Sequence, residues 1–190
     1  MYKGAFSWLP GKRPGGHEKA DSSSGGNKMY KIREAIQSDR NGIGKVYCDS
    51  WKTGYQNLLP KTYLDTLTVS NCTPDEVSAN DIVLIEQERV LGICHISKAR
   101  DRDGKEWAEV VAIYLLPEKW GSGAGSELFQ AALRKLGQEG YKHTCLWVLK
   151  DNIRARKFYE KNGFAVSGNE REIKIAACSV SEVEYISIQN

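Results

Sequence analysis

The feature that most constrains the fold is residues 108–136, in which an apolar strand runs through a glycine-rich turn into an amphipathic helix. Residues 109–116 are rich in aliphatic and β-branched side chains and carry a single acid, which is typical of a strand buried on both faces. Pro117 ends this strand because proline lacks a backbone donor. After the turn, apolar residues recur at helical spacing up to Leu136. The stretch therefore predicts a strand, a turn and a helix in direct succession.

The turn carries Gly121, Gly123 and Gly125 at the start of the predicted helix. The first turn of a helix has unpaired N–H groups and a partial positive charge, and glycine lets an anion come close to them. We therefore expect an anion-binding turn, the alternative being a turn that binds no ligand. A Walker loop is excluded because Gly125 is followed by Ser and Glu, and a Rossmann turn because Ser126 replaces its third glycine.

A second motif, DNIRARKFYEKNGF at 151–164, follows the next predicted strand. Together with PEKWGSGAGSELF at 117–129, it resembles the GNAT superfamily of acetyl-CoA-dependent N-acetyltransferases. The two family patterns are Q/R-x-x-G-x-G/A and N-x-x-A-x-x-F-Y-x-x-x-G-F, in this order. Trp120 stands where the family usually has Gln or Arg. The resemblance covers nearly all of the chain from about Met29 onward.

The resemblance implies that acetyl-CoA is the co-substrate and that main-chain groups hold much of it. Amides of residues 121–126 would bind the pyrophosphate, and the end of the strand would pair with the pantetheine arm. Asn152 would hydrogen-bond the pantetheine or the helix start, and Tyr159 would lie beside the sulfur; their alternatives are a helix cap and a packing residue. The implied coenzyme-binding residues are Ile113, Tyr114, Leu115, Gly121, Ser122, Gly123, Ala124, Gly125, Ser126, Asn152 and Tyr159. No metal is expected.

Catalysis is assigned to Glu109 and Tyr159. Transfer to an amine requires a neutral nucleophile, whereas a lysine-type amine with a pKa of about 10.4 is protonated near pH 7. Glu109, the lone acid of its strand, is predicted to be the base because burial would raise its pKa, and its position resembles the family's base. The alternative is a carboxylate held in a salt bridge. Tyr159 would protonate the leaving thiolate. Cys145 lacks an adjacent base or cation in the sequence, which disfavours a covalent acetyl carrier.

The acceptor side is assigned to a helix that begins at the predicted N-cap Ser38. The W-x-x-x-Y and L-L-P pattern of residues 51–60 is similar to the loop that overhangs the acceptor in many family members. Trp51 and Tyr55 are therefore predicted to contact substrate, with packing in the core as the alternative. Cys94 and His95 are neighbours on a predicted strand, so their side chains point to opposite faces and could not share a metal. Both are therefore interpreted as packing residues.

The chain is predicted to be an α/β (α+β) protein with one domain at 29–190: a mixed, mostly antiparallel sheet with helices on both faces, which splays where the central strand meets the fifth. Residues 1–28 are rich in Gly and Ser, so we expect a flexible extension, a leader or a tag. They contain five Lys/Arg and two Asp/Glu, which leaves 22 charges of each sign elsewhere. A neutral domain gives no reason to expect nucleic acid or a membrane surface. The five scattered cysteines favour a reducing cytoplasm.

The predicted function is direct transfer of acetyl from acetyl-CoA to a primary amine. The alternatives are a GNAT-like module that binds an acyl-CoA without turnover, and a transferase of a longer acyl group. The sequence leaves open whether the acceptor is a small molecule or a peptide, and whether the chain forms a homodimer.

Overall fold

The computed structural model describes residues 30–100, 102 and 106–187, which form a seven-stranded sheet with helices packed on it. The predicted extension at 1–28 lies outside these residues. The strands are β1 Lys31–Glu34, β2 Asp81–Glu86, β3 Arg89–Lys98, β4 Trp107–Leu115, β5 His143–Leu149, β6 Phe164–Ile175 and β7 Cys178–Ser187. The helices are α1 Arg40–Gly54, α2 Lys61–Leu64, α3 Val69–Cys72, α4 Ala124–Gln138 and α5 Ile153–Lys161. Of the described helices, none is long and apolar enough to span a membrane.

The sheet has the strand order β1-β2-β3-β4-β5-β7-β6, and every neighbouring pair is antiparallel except β4 and β5. This parallel pair is short: it runs from Trp107 opposite His143 to Glu109 opposite Cys145. Both strands continue for several residues beyond that point without pairing with each other. The predicted splay is thus confirmed, and it leaves a wedge-shaped gap, which we call the fork.

Both faces of the sheet are covered, because β3 is buried from Val90 to Ile96 although its side chains alternate between faces. The helices α1 and α4 pack on β3. An aromatic cluster joins α4 to α5, in which the Phe129 ring lies 5.5 Å from that of Phe158 and 5.7 Å from that of Tyr159. The predicted α/β class with a mostly antiparallel sheet is confirmed.

A second apolar cluster includes the end of β5. It joins α1 and the two short helices that follow to the β6–β7 hairpin, with Leu59, Leu64 and Leu67 packing in one cluster with Leu149 and Ile175. The helical segment 51–72 therefore packs against the hairpin.

The prediction that Ser38 is the N-cap of α1 is wrong. Ser38 lies within a 3-10 turn, Gln37–Asp39, and α1 begins at Arg40. Asp39 caps this turn instead: its Oδ2 accepts from the Ile36 N–H at 2.8 Å, and its two oxygens bind Arg33 of β1 at 2.6 and 3.0 Å. Arg33 of β1 thus holds the carboxylate that closes the turn before α1.

Candidate active site

A cleft of about 620 Å³ opens at the fork. Its walls come from β4 and β5, from α1, from the glycine turn before α4, from α5 and from the β6–β7 hairpin. All the elements that carry predicted site residues therefore meet in one cavity.

The glycine turn forms one end of this cleft. Gly121 and Gly123 have φ values of +74° and +89°, in the left-handed region that favours glycine, and Gly123 is the N-cap of the 15-residue helix α4. No heavy atom lies within 4 Å of the place that a Cβ of Gly123 would occupy. The first amides of α4 are thus reachable by an anion from the cleft.

The other predicted residues of the turn have distinct surroundings. Gly125 and Ser126 line the cleft, and the Ser126 Oγ accepts from Asn162 Nδ2 at 3.2 Å. Ser122 donates through its Oγ to the Lys119 carbonyl at 2.8 Å, and Ala124 is fully buried in the core. Any contribution of Ser122 and Ala124 to an anion site would therefore come from the main chain.

The edge of β4 that faces the fork offers main-chain groups. The Leu116 N–H donates to the Leu91 carbonyl at 2.9 Å, and the register places Gly92 opposite Leu115 and Cys94 opposite Ile113. Because hydrogen-bonded pairs alternate in an antiparallel ladder, the N–H and C=O of Leu115 and Ile113 point away from β3. The Leu115 carbonyl is already occupied by Ser50 Oγ at 2.8 Å and Trp120 Nε1 at 2.9 Å. Of the three residues predicted to pair with pantetheine, Ile113 is thus the best placed, whereas Tyr114 is paired with β3.

Asn152 and Tyr159 both line the cleft on α5 and are buried. The Asn152 Oδ1 accepts from the Ala155 N–H at 3.1 Å, so this side chain caps α5. Burial raises the pKa of Tyr159 far above its usual value, which keeps its phenol protonated. No other residue of the described part of the chain hydrogen-bonds this hydroxyl. Tyr159 therefore brings a free proton donor to the cleft.

Glu109 lies where β4 and β5 part, and it is 3% exposed. Its Oε2 accepts from Arg100 Nε at 2.9 Å and its Oε1 from Arg100 Nη2 at 2.5 Å, so both oxygens are engaged in a forked ion pair. The predicted base is thus in the cleft, and the salt bridge weighed as its alternative is present. Cys145, opposite Glu109, has its pKa raised to about 11 by burial, which argues against a thiolate carrier.

Trp51 and Tyr55 lie together on the α1 side of the cleft. Their rings stack with centroids 4.8 Å apart, the Trp51 ring lies 6.3 Å from that of Tyr114, and the hydroxyls of Tyr55 and Tyr114 are 3.4 Å apart. Tyr47 packs edge-on against Tyr114 at 5.2 Å. The two predicted substrate residues are therefore both packed against neighbours and exposed to the cleft, and their contact with an acceptor stays a prediction.

His95, interpreted from the sequence as a packing residue, is buried and also lines the cleft. Its Nδ1 lies 2.8 Å from Oδ1 of Asp81, its cross-strand neighbour on β2. The short turn between β2 and β3 brings these two positions near each other, and the apolar runs on either side of it are the one sequence signal for this pairing. Among residues 30–100, 102 and 106–187, no group of three or more His, Cys, Asp or Glu side chains is placed to hold a metal ion.

Comparison with known proteins agrees with this geometry. Residues 43–164 match the model of the Acetyltransferase (GNAT) family. An uncharacterized N-acetyltransferase of Bacillus subtilis (strain 168), YuaI, is 30% identical over 128 residues, which cover 65% of this chain and 74% of that protein.

Two solved structures share the fold. The PaiA N-acetyltransferase of Thermoplasma acidophilum, in complex with coenzyme A, superposes with a TM-score of 0.65 at 18% identity, covering 84% of this chain and 99% of that one. The putative acetyltransferase YncA of Salmonella typhimurium, with its cofactor acetyl-CoA, gives a TM-score of 0.62 at 16% identity, covering 84% of this chain and 93% of that one. With a family match over more than half of its length and this fold, the chain belongs to the GNAT family of acetyltransferases.

Proposed function

We propose that this protein transfers an acetyl group directly from acetyl-CoA to a primary amine. The observation that carries this proposal is the left-handed glycine turn at the N-terminus of α4, which faces the same cleft as the open edge of β4. A pyrophosphate at that helix end would be stabilised by unpaired amides and the helix dipole. The two similar structures that are named as complexes with coenzyme A and acetyl-CoA support the same ligand class.

The proposed binding mode uses the main chain of residues 121–126 for the pyrophosphate and that of Ile113 for the pantetheine arm. Asn152 holds the start of α5 beside it, through its bond to Ala155. In this arrangement the thioester lies in the fork, between the acceptor side lined by α1 and the phenol of Tyr159.

The proposed chemistry needs a proton acceptor for the amine and a proton donor for the leaving thiolate. Tyr159 is the donor, because its phenol stays protonated and has no partner in the described residues. Glu109 is the acceptor predicted from the sequence. Since Arg100 binds both of its oxygens, an amine proton would have to reach a lone pair that the guanidinium leaves free.

The decisive experiment is a panel of primary amines incubated with the purified protein and acetyl-CoA. The panel includes 2-phenylethylamine, spermidine, free lysine, an N-terminal alanine peptide and an aminoglycoside. Release of free thiol and formation of the acetylated amine by mass spectrometry are both followed. We expect acetyl-CoA to bind by calorimetry and at least one amine to be acetylated. Tight binding with no product from any amine would instead indicate a non-catalytic acyl-CoA-binding module, and turnover only with longer acyl-CoA would indicate a different donor.

A further inference from the structure

We propose that His95, oriented by Asp81, accepts the proton of the acceptor amine. This inference rests on the proposed acetyl transfer and names the group that makes the amine nucleophilic. It assigns a catalytic role to a side chain that no sequence motif marks.

His95 and Asp81 form a buried pair. The two side chains are 7% and 12% exposed, and Nδ1 of His95 lies 2.8 Å from Oδ1 of Asp81. The other carboxylate oxygen, Oδ2, accepts from the backbone N–H of Ser78 at 2.8 Å and from its hydroxyl at 3.1 Å. A carboxylate that is fixed in this way keeps the proton of a neutral imidazole on Nδ1 and leaves a lone pair on Nε2.

The Nε2 atom of His95 is available. No residue of the described ranges hydrogen-bonds it, and it is not among the fully buried polar atoms of those ranges that lack a partner. His95 is one of the residues that line the cleft. An imidazole with one nitrogen anchored and the other accessible is the usual form of a general base.

His95 lies on the sheet next to the opening of the fork. It pairs with Ala112 of β4, three residues beyond Glu109, where the pairing of β4 with β5 ends. The register between β3 and β4 skips Val111, so β4 is irregular beside His95. Paired residues share a face, so Glu109, opposite Ser97, and Tyr114, opposite Ile93, lie on the same face as His95. That face carries the aromatic side chains of the acceptor side, because Tyr114 contacts Tyr47 and Trp51 of α1.

Glu109 and His95 differ in what already binds their acceptor atoms. Arg100 binds both oxygens of Glu109, whereas no residue of the described ranges hydrogen-bonds Nε2 of His95. Asp81 holds the other ring nitrogen of His95. Of the two candidate bases in the cleft, His95 thus has the acceptor atom that no neighbouring side chain occupies.

The Nε2 lone pair of His95 takes a proton from the ammonium of the acceptor, which leaves a neutral amine and an imidazolium whose Nδ1–H stays bonded to Asp81. The amine nitrogen attacks the thioester carbonyl, the C–S bond breaks, and Tyr159 protonates the departing thiolate. The amine nitrogen loses its second proton and Tyr159 regains one, and the imidazolium releases its proton to water. One acetyl group has moved and one proton has been released.

The test uses the full chain, acetyl-CoA and the amine of the panel that the wild type acetylates fastest, with the acetylated amine measured in single turnover. His95→Gln should lower the rate by about 10² to 10⁴-fold, the usual worth of a positioned base, while acetyl-CoA affinity by calorimetry and the melting temperature stay near those of the wild type. His143→Gln is the matched control. His143 stacks on Trp107 at 4.6 Å and does not line the cleft, so this variant should retain the wild-type rate.

Two further variants separate chemistry from folding. His95→Ala should regain at least about tenfold in rate when imidazole is added, whereas the wild type should not respond, because added imidazole replaces only a missing base. Asp81→Asn removes the orienting charge, so its kcat should fall while its KM for the amine stays unchanged. A structural role for the pair would give neither imidazole rescue nor this split.

The outcomes are distinct. If the wild type acetylates the amine and His95→Gln does so within threefold of its rate, the assignment to His95 is wrong and the proposed function stands. If His95→Gln is slow but imidazole does not rescue His95→Ala and Asp81→Asn loses acetyl-CoA binding, the pair is structural and the inference fails. If the wild type binds acetyl-CoA but acetylates no amine, the proposed function fails first and the inference with it.

Discussion

The guanidinium of Arg154 lies 3.6 Å from the centroid of the Trp120 ring, stacked on its face. Trp120 is the residue that departs from the family pattern, and its indole also donates to the Leu115 carbonyl. The ring thus joins the end of β4 to the first turn of α5 across the mouth of the cleft. No carboxylate of the described residues pairs with Arg154, and burial lowers its pKa. The departure at Trp120 therefore has a structural use: it holds a cation without a carboxylate partner among the described residues at the wall of the cleft.

The shared acceptor Leu115 leads to a first prediction about stability. Ser50→Ala and Trp120→Phe each remove one of the two donors to this carbonyl, and each should destabilise the fold by about 0.5–1.5 kcal/mol. Trp120→Phe keeps an aromatic face for Arg154. The double variant leaves the carbonyl without either donor, so its cost should exceed the sum of the single costs by about 1 kcal/mol. Urea unfolding measures this cycle, and additivity within about 0.3 kcal/mol would show that a water replaces the donors.

The glycine turn gives a second prediction. Gly123→Leu should abolish acetyl-CoA binding in calorimetry, because its side chain would fill the space in front of the α4 amides. A left-handed non-glycine residue costs about 1–2 kcal/mol, which must be separated from the loss of binding. Gly140→Leu is the control: its φ is +90° and no atom lies within 4 Å of its Cβ position, yet it does not line the cleft.

We expect both variants to lose similar melting temperature and only Gly123→Leu to lose acetyl-CoA binding. Unchanged affinity in Gly123→Leu would mean that the glycines serve the turn alone.

The third prediction concerns Tyr159. Tyr159→Phe should lower the single-turnover rate by about 10² to 10⁴-fold and leave acetyl-CoA affinity unchanged. Since burial raises the pKa of Tyr159, the phenol stays protonated throughout neutral and mildly alkaline pH. Its removal should therefore lower the plateau of the pH–rate profile and leave the acidic limb where it is.

Tyr185→Phe is the matched control for this loss of a phenol. Tyr185 is also fully buried, but its hydroxyl donates to Glu160 Oε1 at 2.7 Å and accepts from Arg156 Nε at 3.1 Å. Its loss should reduce stability by about 1–3 kcal/mol and keep the chemical rate. Equal rates for Tyr159→Phe and Tyr185→Phe would place the proton donor elsewhere.

The fourth prediction separates Glu109 from His95. If His95 is the base, Glu109→Gln should keep the rate within about tenfold of the wild type, and its main cost should be stability. Replacing a carboxylate that accepts two bonds from Arg100 should destabilise the fold by about 1–3 kcal/mol. A rate loss of about 10² or more, with a rate that climbs toward the pKa of the free amine, would assign the base to Glu109 as the sequence predicted. Thermal unfolding and single turnover over a range of pH give both readouts.

The sequence predicts the glycine turn, the strand before it and the helix after it because each is specified locally, by glycine, by β-branched residues and by apolar spacing. The ion pair of Glu109 could not be predicted in the same way. Arg100 lies nine positions earlier, and the path of the β3–β4 connection decides whether the two side chains meet. The pairing of His95 depends on the β2–β3 register, which places it opposite Asp81. Alternation along a strand indicates a side chain's face, but it gives no indication of its cross-strand neighbour.

The short parallel pairing of β4 with β5 makes this sheet two mechanical units. One unit is the antiparallel ladder of β1 to β4 and the other is the ladder of β5, β7 and β6, and three residue pairs join them directly. Few hydrogen bonds resist a small change in the angle between the two units, whereas each ladder is stiff in itself. Under the proposed function, a pantetheine arm lying along Ile113 would add hydrogen bonds along the part of this seam where β4 and β5 do not pair with each other. The co-substrate would then reinforce the sheet while it is bound, and the departure of its product would loosen the same seam.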